Sequence, residues 1–188
     1  NRLFKKVLIV GGGFLGSTIS NELNYQHINN FKTSFTQKTD DLFLDIRNKK
    51  SIIDGFEKIE PDLVINCAAI TDLEFLENNS NEGFLTNANG PKNLAEVCVK
   101  KEIRMIQVSS DGIFDGKKGM YKETEKPNPI NNYAKSKVMG ENYVQESMEN
   151  CIIIRTNFYG NHRNQKFLFN WILNMLKNPH YEVWDGIA

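Results

Sequence analysis

Short runs rich in aliphatic and β-branched residues recur at positions 7–10, 42–44, 63–65, 103–108 and 151–154, separated by longer stretches with apolar residues three and four apart. That alternation is a βαβ pattern. Strands that read as continuous apolar runs are buried on both faces, as in a parallel sheet covered by helices on either side, so the expected fold is α/β with a doubly wound parallel sheet. The helical spacing predicts helices over 14–26, 48–59, 81–101, 132–148 and 164–177, and a weaker strand over 32–37.

One connection breaks the regularity. Residues 110–132 carry Gly112, Gly116, Gly119, Pro127 and Pro129 among many charges and cannot be helix or strand throughout. A loop of that length leaving the carboxyl end of a strand stands where open α/β sheets bind ligands, which favours a functional loop over a merely irregular one.

The first strand runs directly into Gly11-Gly12-Gly13-Phe14-Leu15-Gly16, a G-x-G-x-x-G turn that opens a helix. In that context Gly11 permits the tight turn, Gly13 lets a pyrophosphate approach the backbone, and Gly16 allows close helix–strand packing, while the N–H groups of the first helical turn, at Phe14 and Leu15, face the phosphates. This is the Rossmann-type arrangement for a nicotinamide dinucleotide. A dinucleotide's 2′ position is read near the end of the second strand, where Thr36, Gln37 and Lys38 stand and no carboxylate precedes Asp40 and Asp41. NADP(H) is therefore favoured over NAD(H), with Lys38 the candidate phosphate partner; a solvated surface lysine is the plainer alternative.

Tyr133 and Lys137 are spaced i, i+4 and share one face of a predicted helix. An ammonium beside a phenol stabilises the phenolate and turns tyrosine, ordinarily with a pKa of about 10, into a usable acid–base group. Such a pair also occurs on ordinary exposed helices. Ser110 shifts the balance, because it ends another predicted strand and can present a hydroxyl at the same sheet edge.

Composition narrows the field further. The 188 residues suit one α/β domain with a small appendage, and 23 basic against 23 acidic residues leave no overall field to draw the chain onto nucleic acid or an anionic membrane. Cys67, Cys98 and Cys151 lie far apart with no C-x-x-C pair, and His27, His162 and His180 show no ligand spacing, so neither a disulfide framework nor a metal site is expected. The basic start at 1–6 is followed by too short an apolar run for a signal peptide, and no stretch reaches the roughly 20 apolar residues of a membrane helix, so a cytoplasmic location is the expectation.

Five ordered segments carry a resemblance: the glycine turn, Asn66-Cys67-Ala68-Ala69, Ser109-Ser110-Asp111-Gly112-Ile113-Phe114-Asp115-Gly116, Tyr133 to Lys137, and Arg155-Thr156-Asn157-Phe158-Tyr159-Gly160. Together they resemble the dTDP-4-dehydrorhamnose reductase family of the extended short-chain dehydrogenases/reductases. The resemblance implies that Ser110 polarises a substrate carbonyl, Tyr133 protonates its oxygen, and Lys137 lowers the tyrosine pKa while holding the nicotinamide ribose. It further implies Asp45 and Ile46 beside the adenine, Ala68 and Ala69 as small residues leaving room for the cofactor, Asn87 supporting the lysine, and Asp111 and Asn157 near the substrate. Plainer readings are a strand-end cap for Asp45, close packing for the alanines and a helix kink or cap for Asn87. The family pattern often has a glycine where Val10 stands.

On that footing residues 1–156 form the NAD(P)-binding domain and 157–188 the start of a substrate-binding region that family members continue further, with Trp171 read as core packing. The implied activity is NADP(H)-linked reduction of a nucleotide-activated 4-keto-6-deoxy sugar, with homodimerisation through the helices near 81–101 and 132–148. A nucleotide-sugar epimerase or dehydratase would use the same tyrosine. The chain also resembles the regulatory beta subunit of methionine adenosyltransferase, which need not turn over a sugar.

Overall fold

The computed structural model describes residues 4–36 and 41–157. The chain divides into two compact units, Asn1–Thr156 and Asn157–Ala188, and the elements below belong to the first. The expected helix over 164–177, Trp171, His162, His180, Lys38 and the segment from Phe158 to Gly160 lie outside the described residues.

Six strands form one parallel sheet in the order β3-β2-β1-β4-β5-β6. They are β1 Val7–Val10, β2 Asn30–Ser34, β3 Leu42–Phe43, β4 Leu63–Asn66, β5 Arg104–Ser109 and β6 Cys151–Arg155. The order reverses between β1 and β4, which pair in register from Val7 with Leu63 to Val10 with Asn66. Their carboxyl ends therefore flank the crevice where such sheets take ligands. The doubly wound α/β fold is as the apolar runs predict. Burial on both faces explains those runs: Leu8, Val10, Val64 and Met105 pack in one apolar cluster, and Val7, Ile9, Ile65 and Val108 in the other.

The helices are α1 Phe14–Tyr25, α2 Lys49–Ile59, α3 Leu73–Asn78, α4 Ser80–Phe84, α5 Gly90–Lys100 and α6 Asn132–Ser147. Two are capped by asparagine side chains: Asn48 accepts from the Lys50 and Ser51 N–H groups, and Asn131 from Ala134 N at 2.8 Å.

Two expectations need correction. The second strand occupies Asn30–Ser34 rather than 32–37, because α1 ends at Tyr25 and His27, with φ of 54°, reverses the chain early. The single helix expected over 81–101 is instead α4, a π-helical turn at Leu85–Asn89, and α5. Pro91 supplies the reason, since it has no N–H for the Asn87 carbonyl and its ring would collide with that carbonyl in a regular α-helix. The wider π turn avoids the clash.

Candidate active site

The glycine turn between β1 and α1 is built for a close approach. Gly11 holds φ at 98°, and a Cβ there would lie 2.7 Å from Ala68 N. A Cβ on Gly16 would stand 2.0 Å from the Gly11 carbonyl oxygen, so the helix can lie against the turn only with glycine at that position. Gly13 caps α1 without a side-chain hydrogen bond, and a Cβ there would meet nothing within 4 Å. Nothing therefore crowds the helix amino terminus at Gly13, as an anion site there requires. Leu15, in the same first turn as Phe14, packs its side chain against the Val7–Ile9 cluster.

From this turn a cleft of about 550 Å³ extends over the carboxyl ends of β1, β2 and β4. Its walls include Gly11, Gly13, Asp45, Ile46, Ala68 and Ala69, bringing together residues from three segments of the sequence. The length, the glycine at the helix terminus and the small residues at Ala68 and Ala69 fit a dinucleotide laid across the switch point. The far end is polar. Asp45 is gripped by Arg47, which donates from Nε at 3.0 Å and Nη2 at 3.0 Å and reaches Glu82 through Nη1 at 3.3 Å. This pairing, first of all the Arg47 side-chain bonds, holds the Asp45 carboxyl below its usual range. The Arg47 guanidinium lies 4.6 Å from the centre of the Phe35 ring, so with β2 ending at Ser34 the residues bordering the cleft there are Ser34, Phe35 and Thr36.

Ser110, Tyr133 and Lys137 meet beyond the end of β5. Ser110 follows the strand and caps a 3₁₀ turn at Asp111–Ile113, its Oγ accepting from Gly112 N at 3.1 Å. Tyr133 stands in the first turn of α6. Burial raises its pKa, the Ser110 hydroxyl bonded to the phenol lowers it, and the Asp111 charge raises it, leaving a protonated phenol at neutral pH. Lys137, 4% exposed, donates from Nζ to the Val108 carbonyl at 2.8 Å. Burial brings its pKa down to about 8, against the opposing pull of Glu141 and Cys67. It still carries its proton at pH 7 by roughly ten to one. In this geometry the ammonium is anchored to β5, and the phenol's upward shift comes from burial and Asp111 against the opposing bond from Ser110.

Asn87, 1% exposed, sits in the π turn and clamps two neighbours through three bonds. Its Oδ1 accepts from Ile70 N at 2.8 Å, while Nδ2 donates to Ile70 O at 2.9 Å and to Ser136 Oγ at 3.1 Å. It thus ties the loop after β4 to the helix turn between Tyr133 and Lys137. Asp111 lines a second cavity of about 340 Å³ with Phe114, Gly116, Tyr121, Lys122, Glu123 and Arg155. The long loop around it is ordered by Asp115, which accepts from Tyr121 Oη at 2.5 Å, Asn128 Nδ2 at 2.8 Å and Lys117 N at 3.1 Å, and by stacking of Phe114 on Tyr121 at 4.4 Å. Asn157 follows β6 by two residues.

A family model described as the RmlD substrate binding domain matches residues 5–183. The chain belongs to this family. The family lies within the extended short-chain dehydrogenase/reductase superfamily. The RmlD-family chain is 38% identical over 119 residues to the probable low-salt glycan biosynthesis reductase Agl14 of Haloferax volcanii, a match covering 62% of this chain and 40% of that protein. It is 34% identical over 112 residues to methionine adenosyltransferase 2 subunit beta of Xenopus tropicalis, covering 60% and 33%. It superposes with a TM-score of 0.79 on the dTDP-4-dehydrorhamnose reductase of Bacillus anthracis solved in complex with NADP, at 29% identity, covering 94% of this chain and 60% of that one. The chain spans less than half the length of these curated relatives.

Three features of this RmlD-family site escape a reading of motifs. Asn66 and Gln107, 0% and 2% exposed, are polar residues inside otherwise apolar strands, and that interruption is the signal that marks them. Asn66 Oδ1 accepts from Ala68 N at 3.1 Å, its Nδ2 donates to Gln107 Oε1 at 2.8 Å, and Gln107 Nε2 donates to the Val108 carbonyl that also takes Lys137. Arg47 is visible in the sequence only as a charge beside Asp45. The pairing of Glu141 with Arg155 at 2.8 Å joins positions with no local spacing to betray it. Among the described residues no three His, Cys, Asp or Glu come together as a metal site, and no helix is long and apolar enough to cross a membrane.

Proposed function

We propose that the protein is an NADP(H)-linked reductase of a nucleotide-activated 4-keto-6-deoxy sugar. The observation that carries this reading is the convergence of Ser110, Tyr133 and Lys137 at the end of β5, beside a cleft that begins at the glycine turn. A reduced nicotinamide bound in that cleft would supply the hydride to the C4 carbonyl carbon. Ser110 donates a hydrogen bond to the carbonyl oxygen, and the protonated Tyr133 phenol delivers the proton that turns the resulting alkoxide into a hydroxyl. Lys137 lies one helical turn away, where its ammonium steadies the tyrosinate left behind and can hold the nicotinamide ribose. Gly13 and the first turn of α1 take the pyrophosphate, and Asp45 and Ile46 border the adenosine end.

The NADP(H) preference rests on the absence of a carboxylate at Ser34, Phe35 and Thr36, with Lys38 and Arg47 the cations nearby in sequence or space. Residues 157–188 serve as the start of the substrate-binding region, and within the first unit Asp111 is the residue beside the sugar.

The test is to mix full-length protein with NADPH or NADH and a dTDP-4-keto-6-deoxyhexose and follow loss of reduced cofactor for the wild type and Tyr133→Phe. Consumption that depends on Tyr133 supports the reductase and ranks the cofactors. Conversion of the sugar with no net consumption points to an epimerase or dehydratase. Cofactor binding without any turnover, together with a stable hetero-complex, points to a regulatory subunit.

A further inference from the structure

We infer that Glu141 and Arg155 are positioning residues of the proposed reductive site: the carboxylate fixes the charged state of Lys137 from one helical turn behind it, and the guanidinium ties that carboxylate to the loop walling the second cavity. This inference rests on the role given above to Lys137, but its first test does not depend on turnover.

Glu141 is 2% exposed and lies on α6 four residues after Lys137, itself 4% exposed. Arg155, the last residue of β6, donates to it from Nε at 3.2 and 3.1 Å and from Nη2 at 2.8 Å. The remaining arm, Nη1, donates to the Glu123 carbonyl at 3.0 Å, and the guanidinium lies 5.6 Å from the centre of the Phe114 ring. Phe114, Glu123 and Arg155 all line the cavity that contains Asp111. In register, Arg155 stands beside Ser109, the residue before Ser110. This pair, with Glu141 buried and Arg155 partly exposed, therefore touches α6 behind the lysine, the end of β6, and two points of the loop.

A buried ion pair is a poor way to gain stability, because desolvating both charges offsets most of their attraction. Its effect is felt in what the charges do to their neighbours. The groups facing Lys137 are Glu141 on its own helix, the Cys67 thiol after β4 and the Val108 carbonyl of β5, with Tyr133 one helical turn before it. The Cys67 thiol is pushed up to about 12 by burial and is neutral at any working pH. Glu141 is thus the negative charge that favours the ammonium against the cost of burial, and Arg155 holds that carboxylate in place.

The experiment is to label lysine with ¹³C at Cε in the full-length protein and titrate Lys137 by NMR, in wild type, Glu141→Gln, Glu141→Asp and the doubly neutral Glu141→Gln/Arg155→Met. In Glu141→Gln the Lys137 midpoint falls by about one pH unit, because the carboxylate is lost while the Arg155 charge remains. The double variant, which loses both charges, falls between that and wild type, and Glu141→Asp restores most of the difference. A midpoint unchanged in Glu141→Gln overturns the inference. If that variant does not fold, an unchanged midpoint in the double variant does so equally. Kinetics then separate the two arms. Arg155→Met should raise KM for the sugar nucleotide about tenfold with little change in kcat, whereas Glu141→Gln should move the alkaline limb of kcat to lower pH. A purely structural pair would change melting temperature without either signature. Loss of reductase activity in the wild type itself would count against the proposed reaction and leave the titration result standing.

Discussion

A Cβ on Gly140 would stand 2.2 Å from the carbonyl oxygen of Asn87. This carbonyl is the one that Pro91 cannot serve, and it is carried toward α6 by the π turn. Gly140 is therefore the residue of α6 against which the π turn packs, one turn from Lys137. Gly140→Ala should destabilise the protein by about 1–3 kcal/mol through overpacking, lowering Tm by several degrees. The backbone cannot yield locally without disturbing the bonds of Asn87 to Ile70 and Ser136, so turnover should drop as well. A melting curve superposable on wild type would show that the two helices have room to separate.

The two inner glycines of the first turn should respond in opposite ways. Gly11→Ala forces a left-handed φ of 98° on a residue with a Cβ and presses that Cβ against Ala68, so it should cost stability. Gly13→Ala meets no neighbour and should leave stability within about 1 kcal/mol of wild type, while the added methyl stands where a pyrophosphate would approach the helix terminus. Thermal melts paired with a fluorescence titration of NADPH separate the two. Tight NADPH binding by Gly13→Ala would remove the dinucleotide from this turn.

Lys137 makes a prediction about pH. Its folded pKa, about 8, lies below the 10.5 of an exposed lysine, so below pH 8 both folded and unfolded states hold the proton and the native state bears the full cost of a buried ammonium. Between about pH 8 and 10.5 the unfolded chain binds more protons than the native one, and stability contributed by this group rises with pH. Relative to Lys137→Met, wild type should gain roughly 3 kcal/mol across that window, read from urea unfolding at successive pH values. A constant difference between the two proteins would mean that the ammonium is solvated.

The strands, the glycine turn and the Tyr133–Lys137 face were legible because each depends on local spacing: burial on both faces writes a continuous apolar run, and a helix places i and i+4 together. The early end of β2 was not, since it follows from the left-handed conformation at His27, which a histidine adopts more often than most residues but which no glycine there announces. The break in the helix at 85–89 was written in Gly90-Pro91, a stop signal outweighed by the apolar periodicity around it. Arg47 stacking on Phe35, and Glu141 meeting Arg155, depend on which elements the sheet order brings side by side, and no window along the chain contains that information.

The link from Asn66 to Gln107 gives a last prediction. Both side chains are buried, and the chain of bonds from Ala68 N through Asn66 and Gln107 reaches the Val108 carbonyl on which Lys137 rests. Asn66→Ala leaves the Gln107 oxygen and the Ala68 N–H without partners inside the protein, each worth about 1–3 kcal/mol when buried. It should therefore destabilise more than its lost volume warrants, and should also loosen the Ala68 wall of the cleft and weaken cofactor binding. Gln107→Met removes the other partner with little change of shape. Because the two variants break the same bond, the double variant should be less damaged than the sum of the singles, with a coupling of about 1–2 kcal/mol in urea unfolding. Strict additivity would mean that the two amides are satisfied separately and that the cleft wall and the lysine are not joined through them.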